Sequence, residues 1–216
     1  MPKTPSRELA TITNLSALPE RFEIADTEIR PEQMFVRTAR HPRGAGPWAD
    51  EPDKLAWIDA ASGLPCILLR QASGALSGYV GVAPTHPLWG YEVGAIPPSS
   101  DIQVHGGIDY AELCAAYGPE EERVCHVHQS HDRRVPVGDG RSDDAWWLGF
   151  TADKPGDLVP RGNPPRLSRE EGETYRDIDF MYRETVGLAR QLRALQADPN
   201  TPPLKLGAPA PKLGKS

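Results

Sequence analysis

The sequence predicts an α+β fold: an antiparallel β-meander sheet crossed by one long C-terminal amphipathic helix, with long Pro/Gly-rich loops between elements. Three observations predict it. Residues 54–83, KLAWIDAASGLPCILLRQASGALSGYVGVA, hold three short apolar runs separated by AASG and ASGA, small glycine-containing linkers of the kind hairpins use. Ile178, Met181, Tyr182, Thr185, Leu188, Ala189, Leu192 and Leu195 recur at three- and four-residue spacing, which makes one apolar stripe on a helix. The 23 prolines and 20 glycines among 216 residues require more turns than a helical bundle contains.

In chain order, residues 1–30 read as a partly ordered N-terminal extension and residues 31–197 as a single domain. The meander strands fall at about 55–59, 66–71 and 76–82. Gly78 and Gly81 inside the third mark bulges or a close backbone approach. Stretches 37–53 and 84–100 form irregular loops, and two more strands are expected at 123–129 and 145–151. In the last of these, Trp146 and Trp147 must point to opposite faces, one to the core and the other to a groove or loop. The helix is capped by Ser168 or Thr174, each followed three residues later by an acid, Glu171 or Asp177. After Asp198 the chain reads PNTPPLKLGAPAPKLGKS, with three lysines and no acid, a disordered Pro/Lys tail.

Composition narrows the function classes. A net charge of −6 supplies no general attraction to nucleic acid or an anionic membrane. Arg133, Arg134 and Arg141 are neutralised within their own stretch by Asp132, Asp139, Asp143 and Asp144, which argues against a phosphate track. No apolar run reaches the length of a signal peptide or a membrane span. Three cysteines are too sparse for a disulfide framework, so a reducing cytoplasm is the expected compartment.

The familiar catalytic signatures are absent: no P-loop, dinucleotide fingerprint, H-E-x-x-H or G-x-S-x-G. The densest ligand cluster is CHVHQSH, with Cys125, His126, His128 and His131 and with Cys114 as a further candidate ligand, but the spacing fits no standard zinc module. No metal is therefore assigned, and nothing specifies a cofactor. His86 in THPLWG and His105 in VHGGI are bordered by proline or glycine, so a ligand can approach the backbone there. The loop KPGD sets Lys154 and Asp157 at a strand end. The expected site has His105, His126, Asp157 and His86 as candidate catalytic groups, with Gly106, Gly107, Trp89 and Lys154 as ligand contacts. The plainer alternative at each position is a tight turn whose histidine is hydrogen-bonded and inert, and tryptophans that simply pack.

Together these segments resemble an uncharacterised family of bacterial and bacteriophage genomes, usually labelled hypothetical protein. The likeness runs through GPWADEPDKLAWIDAASGLPCILLR, GALSGYVGVAPTHPLWG, VHGGIDYA, VCHV, DDAWWLGF, GD and TYRDIDFMYRETVGLARQL, over about residues 46–193. The matching polar positions are His86, His105, Cys125, His126 and Asp157. Where this chain reads GFTADKPGD, the family carries a form like GFDCAHAGD, so a cysteine and a histidine are replaced around Ala152 and Lys154. The resemblance implies an architecture and a phage or prophage context more than a reaction.

Two functions are expected from this reading. The first is a small domain that binds a small polar or nucleotide-like ligand in a His/Gly-lined pocket. The alternative is a non-catalytic module that binds a protein partner, using exposed Trp48, Trp89 and Tyr91 as anchors.

Overall fold

The computed structural model describes residues 18–37, 40–114, 118–125, 145–160 and 172–197. Its core is a six-stranded antiparallel sheet of β3 (Pro31–Phe35), β4 (Lys54–Ile58), β5 (Pro65–Arg70), β6 (Leu76–Val82), β8 (Trp146–Thr151) and β7 (Tyr110–Leu113), in that spatial order. A separate hairpin, β1 (Phe22–Ile24) with β2 (Thr27–Ile29), and one helix, α1 (Ile178–Ala197), complete it. The α+β expectation holds, with meander strands within one residue of the expected bounds.

The sheet is buried on both sides because alternate residues of β4, β5, β6 and β8 are apolar on each face. Leu55, Trp57, Cys66, Leu68, Val80, Leu148 and Phe150 join Met181, Leu188, Ala189 and Leu192 of α1 in the main core. On the opposite face Ala56, Ile67, Leu69, Tyr79 and Trp147 pack with Val124. Gly78 lies under the helix, where a Cβ would overlap the Thr185 hydroxyl and the Phe150 ring. The expected close approach is therefore real at this position, and it lets α1 settle on β6.

Several expectations are corrected. The helix is capped by Asp177, whose Oδ1 accepts from Phe180 N at 2.8 Å. Thr174 instead forms a parallel bridge with Asp157, and Ser168 lies outside the described residues. No strand begins at 123; the described chain there forms a 3-10 turn, Glu120–Glu122, followed by irregular backbone to Cys125, and residues 126–129 of the expected strand lie outside the described residues. The cysteines, too few for a framework, still form one cross-link, Cys114–Cys125, and leave Cys66 free in the core. Trp48 is no surface anchor: it is buried and meets Tyr175 edge-on at 5.3 Å. No helix among the described residues is long and apolar enough to cross a membrane.

Candidate functional site

The segment VHGG folds as a tight turn. Gly107 N donates to Val104 O at 3.0 Å and Gly106 has φ +71°, which places His105 at the second position of a type II turn. The backbone N–H of His105 donates to Glu184 Oε2 on α1 at 2.8 Å. Its ring stands edge-on to Phe180, 5.3 Å between centroids. These contacts aim His105 Nε2 at Asp157 Oδ2, 2.6 Å away.

Asp157 sits in the turn after β8. Its carboxylate accepts from its own turn at Lys154 N (3.0 Å) and from Nε of Arg176 (2.8 Å), which precedes the Asp177 cap of α1. Its side chain is only 1 % exposed, whereas that of His105 is 17 % exposed. Burial alone would raise the Asp157 pKa, but the hydrogen bonds from His105, Arg176 and the Lys154 amide outweigh it and hold the carboxyl below its ordinary value. A fixed carboxylate orienting an imidazole is chemistry suited to proton transfer or to holding a polar ligand.

Lys154 closes one side. Burial opposes its charge, but Asp109 at 2.7 Å and Asp153 at 2.9 Å outweigh that and raise its pKa. Its aliphatic stem crosses Gly106 so closely that a Cβ there would strike Lys154 Cγ, so this glycine makes room for the protein's own lysine. Gly107 has open space around it, but its N–H is already used in the turn.

The structure thus joins His105, Asp157, Lys154 and Gly106, and adds Arg176, Glu184 and Phe180. His86 is not part of this group. Its ring spans Leu192 O at 2.9 Å and Leu88 N at 3.0 Å, so both nitrogens serve backbone, and burial lowers its pKa. Leu192 lies two helical turns beyond Glu184, about 12 Å along α1. Trp89 packs on Trp146 at 6.1 Å, away from His105, and His126 lies outside the described residues.

Protein-family models, curated proteins and solved structures give no match to this chain. The site must be read from its own geometry. Among the described residues no cluster of three or more His, Cys, Asp or Glu side chains could hold a metal.

Two features escaped the sequence reading. The first is a groove of about 520 Å³ along β7, lined by Glu92, Val93, Asp109, Glu112, Leu113 and Trp146 among others. Trp146 is the outward tryptophan that the strand pattern requires; its Nε1 donates to Tyr91 O at 3.1 Å while Trp147 is fully buried. The second is a buried ion cluster. Arg70 Nε meets Asp53 at 2.6 Å, its Nη2 meets Glu51 at 2.7 Å, and its Nη1 meets Tyr175 Oη at 2.9 Å. Glu51 also accepts from Tyr175 Oη (2.6 Å) and from Ile178 N at the start of α1 (2.8 Å), so the cluster ties the helix to the sheet.

Proposed function

We propose that the protein is a non-catalytic binding module that takes an extended, basic segment of a partner protein along β7. One observation carries this reading: Val93 (38 % exposed) and Leu113 (49 % exposed), the exposed large hydrophobics among the described residues, line the same groove. Among the described residues strand β7 is the edge of the sheet, paired only with β8, and an edge strand offers backbone groups to an added strand. Charge supports the choice of segment. The groove lining holds Glu92, Asp109 and Glu112 and no Lys, Arg or His. Lys154 offsets Asp109, while Glu92 and Glu112 have no ion pair among the described residues. Aliphatic side chains alternating with lysine or arginine fit such a surface.

Selection from a random display library of nonapeptides tests this. Selected binders are expected to alternate aliphatic and basic residues, and Leu113→Glu should weaken them at least about tenfold, as loss of an interface anchor does. The unfolding midpoint should stay unchanged, because an exposed side chain contributes little stability. Acidic binders, or affinity that ignores Leu113→Glu and Val93→Glu, would exclude this surface.

A second reading rests on the 2.6 Å bond between His105 and Asp157: a carboxylate-oriented histidine serving a small polar ligand beside Lys154 and Arg176. His105→Ala is then expected to cost about 1.5 kcal/mol, one hydrogen bond to a charged group, and to abolish the midpoint shift that a metabolite or nucleotide library produces in the parent. Identical responses of parent and variant to every stabilising compound would make His105 a structural clamp.

A further inference from the structure

The β1–β2 hairpin, the turn after β4 and the exposed side of α1 surround a second cavity of about 530 Å³, apart from the β7 groove. That volume suits a small organic molecule. Trp57 and Tyr182 form its aromatic wall, with ring centroids 5.4 Å apart. Arg30, Arg183 and Arg190 also line it.

The two acids in the lining are already engaged. Glu28 is paired with Arg21 at 2.8 Å, and Asp59 Oδ2 accepts from Ser62 N (2.8 Å) and Ser62 Oγ (2.7 Å) within the turn. The arginines are far less committed. Arg183 reaches only Asp26, at 3.3 Å, with both side chains largely in solvent, and Arg30 and Arg190 have no hydrogen bond or ion pair among the described residues. The cavity therefore carries surplus positive charge beside an aromatic surface.

Two further features shape the cavity wall. Trp57 is 1 % exposed, yet its Nε1 is a buried donor without a partner among the described residues. Such donors are rare, and this one lies behind the aromatic face, where its N–H resonance reports on what packs against the ring. The wall opposite is built at a cost: Ala25 (φ 49°) and Asp26 (φ 61°) both adopt the left-handed conformation disfavoured for residues with a Cβ. The hairpin is held in this shape from α1, whose Asp179 Oδ1 accepts from Ala25 N at 2.9 Å. Ala25 and Asp26 are the two central residues of the β1–β2 hairpin, where a type I′ turn requires φ > 0 at both.

We propose that this cavity binds a small organic anion, a carboxylate or phosphate ester with a flat apolar body. The body lies against Trp57 and Tyr182, and the anionic end is met by Arg183 and Arg190, whose guanidinium groups suit either oxyanion.

The test uses the full chain, ¹⁵N-labelled, and follows the Trp57 indole N–H resonance during titration with phenyl phosphate. Trp57→Phe assigns the peak, and through-bond assignment serves if that variant does not fold. Benzoate, inorganic phosphate and phenol are titrated in parallel. A saturable shift of the Trp57 resonance is expected with phenyl phosphate or benzoate, and the stronger of the two identifies the anion. Phosphate and phenol should each bind at least about tenfold more weakly. The exposed double variant Arg183→Ala/Arg190→Ala should lose about tenfold or more in affinity for the anionic probe, as loss of charge-assisted hydrogen bonds predicts. A Trp57 resonance unmoved by any probe up to about 10 mM would overturn the proposal. Phenol binding as well as phenyl phosphate, or a double variant that binds like the parent, would overturn it equally.

Discussion

Arg70→Met is expected to lower the unfolding midpoint by roughly 6–20 °C. The figure combines about 3–5 kcal/mol for breaking a buried ion pair with about 2–4 °C per kcal/mol for a domain of this size. Arg70 is 1 % exposed and is the cation shared by Glu51 and Asp53, themselves 4 % and 0 % exposed. Methionine fills a similar volume but removes the Arg70 charge from both buried carboxylates; Asp53 keeps only His41 Nδ1, at 3.0 Å, among the described basic side chains. Glu51 is further constrained, because its other oxygen holds the first N–H of α1. Adding Glu51→Gln and Asp53→Asn should recover a large part of the loss, since neutral amides carry no buried charge. Thermal and urea unfolding measure both effects. A variant with Arg70→Met alone that unfolds within a degree or two of the parent would show that the cluster is hydrated and contributes little.

Asp157→Ala is the second large effect, about 2–3 kcal/mol, because hydrogen bonds to charged groups are the stronger kind. Three donors lose their acceptor: His105 Nε2, Arg176 Nε and Lys154 N. The cost stays below that of Arg70 because His105 and Arg176 are part-exposed and can take up water. The same carboxylate links stability to pH. Its folded pKa lies below the ordinary value, so its contribution is fully present above the unfolded carboxyl pKa near 4 and is lost as pH falls through the folded value. The gap between parent and Asp157→Ala should therefore be widest above about pH 5 and close in acid. Parallel stability curves from pH 7 to pH 2 would contradict this assignment.

These two sites differ in how far the sequence revealed them. His105, Asp157, Lys154 and Gly106 were legible because turn-forming glycine and proline beside polar side chains mark strand ends. Their pairing was not, since His105 and Asp157 stand 52 residues apart. His86 has the same local signature as His105, yet it serves backbone at the far end of α1. Local composition cannot separate a histidine facing the core from one facing solvent. Arg70 read as part of an apolar strand over 66–71, and Glu51 and Tyr175 lay 19 and 105 residues from it. Four short strands also went unread. Hairpin β1–β2 turns on Ala25–Asp26 where glycine is usual, β3 opens on a proline followed by Glu32 and Gln33 with no apolar alternation, and β7 has only four residues.

Periodicity alone determined the meander, the apolar face of α1 and the opposed directions of Trp146 and Trp147, because each follows from the pitch of one strand or helix. Glycine inside a strand marked Gly78 as a place of close backbone approach. The position of β7 at the sheet edge, the buried Arg70 cluster and the arginine-lined cavity beside Trp57 depended on the folded chain. Each needs groups from distant segments brought within about 3–6 Å, and the free energy that selects those pairs comes from burying them together. No single segment carries that term.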